Sequence, residues 1–291
     1  MRAFPRGARR PVARLAVRGL FLLLAGVFFP TAAEAQTRMV LGVDASVRSS
    51  HAWRGFARGS GWVLQPDLYL AAVRQPAAVT VGWWSNVELS SNDPGDPGDS
   101  GLGLAWFGEN DLWAEAGGRL GAVDLSGGIV RYLHADGAFG QGADALSTTE
   151  LYANVGVGFG PTVPRVTLWY DVDRIRGAYI ETRVDLRVPV LPSYDPVLAL
   201  YLCTLAGWSV GQEVDENRPG QPAYFREAGL THIDLGLEAR AGRKWRYATL
   251  EVHFLPVRDP GARSGPGPAA PRGSSWWLGL SFSDGWVLGV I

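Results

Sequence analysis

A single cysteine in 291 residues, Cys203, excludes an internal disulfide and any cysteine-based metal cage. A single lysine, Lys244, and no surplus of base over acid exclude the basic face that a nucleic-acid partner requires. The chain also lacks an apolar run of roughly 20 residues, the length a membrane-spanning helix needs. Beyond Gln36, no stretch keeps a 3.6-residue apolar period over helical length. The chain is therefore ordered by something other than crosslinks or helices.

The longest apolar run, LFLLLAGVFFPTA, follows Arg2, Arg6, Arg9, Arg10, Arg14 and Arg18 and leads into Ala33-Glu34-Ala35. A basic region, a short apolar core and a small-x-small site, in that order, predict a secretory signal over 1–35 and a mature chain of 36–291. Removing 1–35 takes six arginines and Glu34 from 27 basic and 28 acidic residues, leaving 21 and 27, a net of −6.

Period-two alternation runs through almost all of the mature sequence. Over 178–188, Ala178, Ile180, Thr182, Val184, Leu186 and Val188 make one face; Tyr179, Glu181, Arg183, Asp185 and Arg187 make the other. About twelve such segments are predicted, near 38–48, 62–73, 78–89, 110–119, 122–133, 149–159, 165–173, 178–188, 196–208, 230–240, 246–255 and 275–283. Most approach the roughly 9–11 residues with which a tilted strand crosses a bilayer. Their connections alternate long and short, as in an outer-membrane barrel with short periplasmic turns and longer external loops. Trp53, Trp62, Trp113, Tyr132, Trp169, Tyr170, Tyr179, Trp208, Phe254, Trp276 and Trp277 fall at the long-loop ends and read as an aromatic girdle. The reading is an all-β transmembrane antiparallel barrel. A secreted soluble β-sandwich or barrel alternates in the same way, because sequence alone does not say which face is inside.

The stretch SSHAWRGFARGSGWVLQPDL (50–69) breaks the alternation between the first two strands. It contains His51-Ala52-Trp53-Arg54-Gly55-Phe56 and then Gln65-Pro66-Asp67-Leu68; further on come Val81-Gly82-Trp83-Trp84-Ser85-Asn86-Val87, Glu109-Asn110-Asp111-Leu112 and Thr149-Glu150-Leu151-Tyr152. Over residues 44–155 these pieces resemble the TorF-like porin family of Gram-negative outer-membrane proteins. The resemblance implies an outer-membrane β-barrel with a pore role and supplies no catalytic residues. Trp53 and Trp62 are expected to anchor the feet of the first external loop. Arg54 is expected at the pore mouth, paired with an acid such as Asp67 or Glu88, or else holding the loop structurally.

With apolar faces toward lipid, the opposite phase lines the lumen. The pore-lining candidates are Asp44, Arg48, Arg54, Asp67, Glu88, Glu115, Glu181, Arg183, Asp185, Arg187, Asp234, Glu238 and Arg240, with Asp111, Asp124, Glu150, Asp171, Asp173 and Glu251 in the same phase. An acid surplus favours cations, since a ring of one sign selects ions of the other. The same residues, led by Glu181-Arg183-Asp185-Arg187, could equally bridge the lumen and close it. A lipid-modifying enzyme is the third reading. His232 and His253 are expected to face the lumen near Asp234 and Glu251, with no Gly-x-Ser-x-Gly elbow expected to support them. The acidic NDPGDPGDS (92–100) fits no EF-hand spacing and reads as a solvated turn rather than a metal site.

Function is thus expected to be that of a narrow channel for small polar or ionic solutes, without cofactor. Its partners would be outer-membrane lipids and the barrel-assembly machinery. The last strand poses a separate question. It either ends on a displaced terminal aromatic, Phe282, or continues in unbroken phase toward Ile291.

Overall fold

In a computed structural model, residues 36–57, 61–89, 106–134, 147–191, 197–213, 223–225, 227–243, 246–258 and 276–290 are described. The predicted signal (1–35), the acidic NDPGDPGDS and the segment 261–273 lie outside these residues. Every predicted alternating segment is a strand. The elements are β1 (Arg38–Arg48), β2 (Ala52–Trp53), β3 (Phe56–Ala57), β4 (Val63–Arg74), β5 (Ala77–Glu88), β6 (Trp106–Leu120), β7 (Val123–His134), β8 (Thr148–Val157), β9 (Thr162–Asp171), β10 (Ala178–Leu191), β11 (Val197–Val210), β12 (Gly229–Arg243), β13 (Arg246–Arg258) and β14 (Trp276–Val290).

Twelve of them close into one antiparallel barrel, each strand beside its sequence neighbour and β14 beside β1. Closure runs from Arg38 opposite Val290 to Arg48 opposite Gly279. The last strand therefore passes Phe282 and continues to Val290. Its far half is paired with β1 alone, because the β13 ladder stops at Tyr247 opposite Ser283. Up to Ser283 closure leaves every strand paired on both sides, which is the condition for a sheet in hydrocarbon. The strand ends that the long connections join lie at one end of the barrel, with 172–177, and those that the short connections join lie at the other.

The side-chain faces settle which side is dry. Leu68, Val81, Leu112, Leu202, Leu237 and Leu250 point outward and are 45–57% exposed. Glu150, Asp171, Ser209, Asn86 and Glu238 point inward and are at most 5% exposed. A soluble fold would reverse this, since removing each large apolar side chain from water is worth about 1.5–3 kcal/mol. A wall that is leucine outside and carboxylate inside suits lipid, and the fold is a transmembrane barrel.

Candidate functional site

The stretch that interrupts the alternation folds into the barrel. β2 and β3 form a hairpin, Ala52 opposite Ala57 and Trp53 opposite Phe56, turning on Arg54-Gly55. Both turn residues have positive φ, 48° and 84°, as a two-residue hairpin of the primed type requires. For arginine the left-handed region costs roughly 1–2 kcal/mol, so something else must hold it there. Glycine at 55 is needed for space as well, because a Cβ would come within 2.6 Å of His232 Cβ.

What holds Arg54 is Glu150 on β8, on the far side of the barrel from β1. Arg54 donates Nη1 to Oε1 at 2.9 Å and Nη2 to Oε2 at 2.5 Å, a two-pronged clamp. Tyr132 donates to Glu150 Oε2 at 3.1 Å and Gln212 to Oε1 at 3.2 Å, so the carboxylate is fully used although it is wholly buried. The guanidinium lies over the rings of Trp53 and Tyr179, 4.4 Å from each centroid, and 5.5 Å from that of Trp169. Burial opposes the charge, but the Glu150 carboxylate outweighs it and holds Arg54 above its already high ordinary pKa. Arg54 therefore pairs with neither Asp67 nor Glu88, the partners expected for it. Those acids project from β4 and β5 beside the hairpin's own root, whereas the hairpin reaches across the mouth. Trp53 is not an interface anchor; it packs inside against Tyr224 and Tyr132. Trp62, 48% exposed, points outward.

Beyond the hairpin lies a cavity of about 850 Å³. Nine carboxylates and four arginines line it. Of the predicted residues, Asp44, Arg48, Arg54, Asp67, Glu115, Glu181, Arg183, Asp234, Glu238 and Arg240 reach it. Glu88, Asp185 and Arg187 do not line it. Glu88 sits at the end of β5 and accepts from Asn86 at 3.4 Å, Asp185 is taken by Arg183 at 2.6 Å, and Arg187 lies toward the short-turn end, its backbone N–H on Pro161 O at 2.8 Å.

One rung of the expected β10 ladder is present, Arg183 with Asp185, and the other pairs run around the wall. Arg183 bridges its strand neighbour Asp185 and, two strands away, Glu238 at 2.9 Å. Arg48 of β1 reaches across β14 to Glu251 at 3.0 Å. The acids of the β1–β4–β6 wall are held by neutral donors instead. Trp113 donates to Asp67 at 3.1 Å and Tyr152 to Glu115 at 3.0 Å, and Asp44 stands directly opposite Asp67. Arginine thus collects on one side of the lumen and uncompensated carboxylate on the other. Asp124, by contrast, closes an exposed pair with Arg119 near the short turns. Asp171 accepts four backbone N–H groups of 173–176 and so fixes the loop after β9.

The aromatic girdle is half a girdle. Trp113, Tyr132, Trp169 and Trp277 line the cavity and Tyr179 is fully buried, while Trp62 and Trp276 are exposed on the outer surface. Glu251, Gln212 and Trp277 were not singled out as site residues. Glu251 was visible as an in-phase acid, whereas Gln212, in a loop, carries no sequence signal. Gly207-Trp208-Ser209-Val210-Gly211 reads as Gly-x-Ser-x-Gly, but it runs along β11 into the following loop. Ser209 donates to Glu213 at 3.0 Å, so the string is no nucleophile elbow. His51 and His134 flank Glu109 at 3.9 and 3.8 Å. His253 Nδ1 lies 2.8 Å from Asp234 Oδ1.

No family model matches the chain, and no curated protein matches it. Among solved structures, it is similar to LpxR from Salmonella typhimurium, at 7% identity and a TM-score of 0.50, covering 84% of this chain and 99% of that one. It is also similar to the COG4313 outer membrane channel from Pseudomonas putida F1 (14% identity, 89% and 98% covered, TM-score 0.47) and to the NanC porin (10%, 84% and 98%, 0.46). At these identities the likeness concerns the fold of an outer-membrane barrel.

Proposed function

We propose that the protein is a narrow outer-membrane channel for small polar or ionic solutes, leaning toward cations, of the kind the TorF-like resemblance implies. The observation that carries this is the lumen, where nine carboxylates face four arginines around about 850 Å³ inside a lipid-facing barrel. Rings of acid raise the local concentration of cations and repel anions. Two of the arginines are committed to acids on their own side of the wall, which leaves Asp44, Asp67 and Glu115 as an acidic lane.

A specific observation favours a second reading, a barrel closed at rest. The Arg54 hairpin crosses the long-loop mouth and is clamped to the opposite wall. One experiment separates the two, the conductance of refolded 36–291 in a planar bilayer under a salt gradient. Discrete steps with a cation-leaning reversal potential are expected of the channel. Silence after confirmed insertion, with steps restored by Glu150→Gln, identifies the hairpin as a gate. Silence in both proteins overturns the channel reading. Outer-membrane placement is checked separately by heat-modifiable gel mobility of the native protein in detergent.

A further inference from the structure

Below the hairpin, one group of side chains has no part in the latch or the acidic lane. His253 on β13, Glu251 on the same strand and Glu238 on β12 bring three potential ligand atoms within 4.8 Å of one another, and all three residues are buried. Glu238 and Glu251 are direct cross-strand partners, like charges that a sheet disfavours and that Arg183, Arg240 and Arg48 offset from their outer sides. Acids gathered in this way would mean little alone. The histidine makes the difference.

The His253 ring is fixed on every side but one. Its Nδ1 is tied to Asp234 at 2.8 Å. Its face stacks on Trp277 with centroids 3.9 Å apart and planes 9° from parallel. Its other side lies on Gly236, where a Cβ would stand 2.9 Å from Nδ1 and 3.0 Å from Nε2. Gly279 on β14 similarly leaves room for the Glu251 side chain. The residue is 6% exposed, and Nε2 has no hydrogen-bond partner among the described residues. A carboxylate on Nδ1 fixes the tautomer in which Nε2 keeps its lone pair, the second-shell arrangement of metal-binding histidines. A buried acceptor with no donor costs free energy, and a cation shared with two carboxylates removes that cost.

We propose that His253 Nε2, Glu251 and Glu238 form a binding site for a divalent first-row transition cation such as Zn²⁺, set in the wall of the lumen. An imidazole nitrogen beside carboxylates selects such ions over Mg²⁺ and Ca²⁺, which prefer oxygen alone. Around a tetrahedral ion, bonds of about 2.1 Å place two ligand atoms about 3.4 Å apart, so a pair 4.8 Å apart closes by about 1.4 Å, which side-chain torsions can supply. The two short arginine pairs can stay, Arg48 on Glu251 Oε1 and Arg183 on Glu238 Oε1, which leaves Glu251 Oε2 for the ion. Glu238 Oε2 lies 3.5 Å from Arg240 Nη2, and the ion takes the place of that long contact. Glu238 and Glu251 border the cavity, which provides the entry path. The site stands whether or not the barrel conducts.

The test uses untagged 36–291 refolded in detergent, with folding confirmed by heat-modifiable mobility. Zn²⁺ is titrated by calorimetry, and Co²⁺ by its d–d absorption. One equivalent of Zn²⁺ is expected, with a Co²⁺ spectrum of mixed nitrogen and oxygen ligation that Zn²⁺ abolishes. His253→Ala and Glu251→Gln should each lose saturable binding, Asp234→Asn should weaken it about 10–100-fold through the ring it orients, and His232→Ala should leave it unchanged. Glu251→Gln answers the question if His253→Ala does not fold. A folded wild-type barrel without saturable binding, or binding undiminished in either ligand variant, overturns the site.

Discussion

At the scale of single residues, the decisive choice is an arginine in a backbone conformation it disfavours. Arg54 takes φ 48° because the clamp from Glu150, three aromatic rings and Gln212 over-determines it. Strain maintained by surrounding contacts in this way is a mark of switch regions and ligand clamps. Removing one partner of a buried, hydrogen-bonded pair costs about 3–5 kcal/mol, since the other charge is left in place without water. Glu150→Gln is therefore expected to destabilise more than Arg54→Ala combined with Glu150→Gln, in which neither charge remains. Arg54→Lys should resemble Arg54→Ala, because an ammonium cannot make the two-pronged contact. Urea midpoints of the micelle-bound protein measure all four. A double variant less stable than Glu150→Gln would show that the hairpin is held by its rings rather than by the ion pair.

At the scale of elements, strands were legible because the alternation is enforced by two incompatible solvents, lipid outside and a polar lumen inside. The same rule would have placed the aromatics. Trp113 lies two residues from both Asp111 and Glu115, Tyr179 two from Glu181, and Tyr132 two from His134, so each shares the lumen phase. Distance from the long loops alone carries no information on that phase, which is why part of the expected girdle turns inward. Loop chemistry was less legible. Arg54 and Glu150 are 96 residues apart, and nothing local to the hairpin says that it crosses the mouth. Gln212 lies in a loop, where no period exists to follow. The two faces of β4 give the matching prediction. Leu68→Arg, on the outer face at 45% exposure, should cost about 2–4 kcal/mol in lipid vesicles, as charge on the lipid-facing midplane does. Asp67→Asn, one residue away in the lumen, should cost less than about 1 kcal/mol, because the Trp113 N–H keeps an oxygen acceptor. Equal losses would mean that the outer face does not meet hydrocarbon.

At the scale of the whole molecule, the two walls of the lumen are charged differently, and that asymmetry is what a permeating ion meets. Arg48 and Arg183 are anchored on Glu251 and Glu238, so their charge is largely neutralised where it stands. Asp44 and Asp67 face each other across one ladder rung, and the only donor identified to either among the described residues is a neutral indole. Selectivity should therefore reside in unpaired cavity acids such as those of the β1–β4 wall and not in the Arg183–Asp185 pair of β10. In a channel opened, where necessary, by Glu150→Gln, Asp44→Asn with Asp67→Asn should move the reversal potential toward the anion side with little change in barrel stability. Glu181→Lys, which puts a positive charge at the cavity, should move it the same way. Asp185→Asn should leave it nearly unmoved, because that carboxylate is bound to Arg183 away from the cavity. The effect of the β1–β4 substitutions should shrink as salt rises, since the screening length falls from about 10 Å at 0.1 M to about 3 Å at 1 M. If Asp185→Asn shifts the potential as far as the Asp44 and Asp67 pair does, ions read the net charge of the lumen and no acidic lane exists.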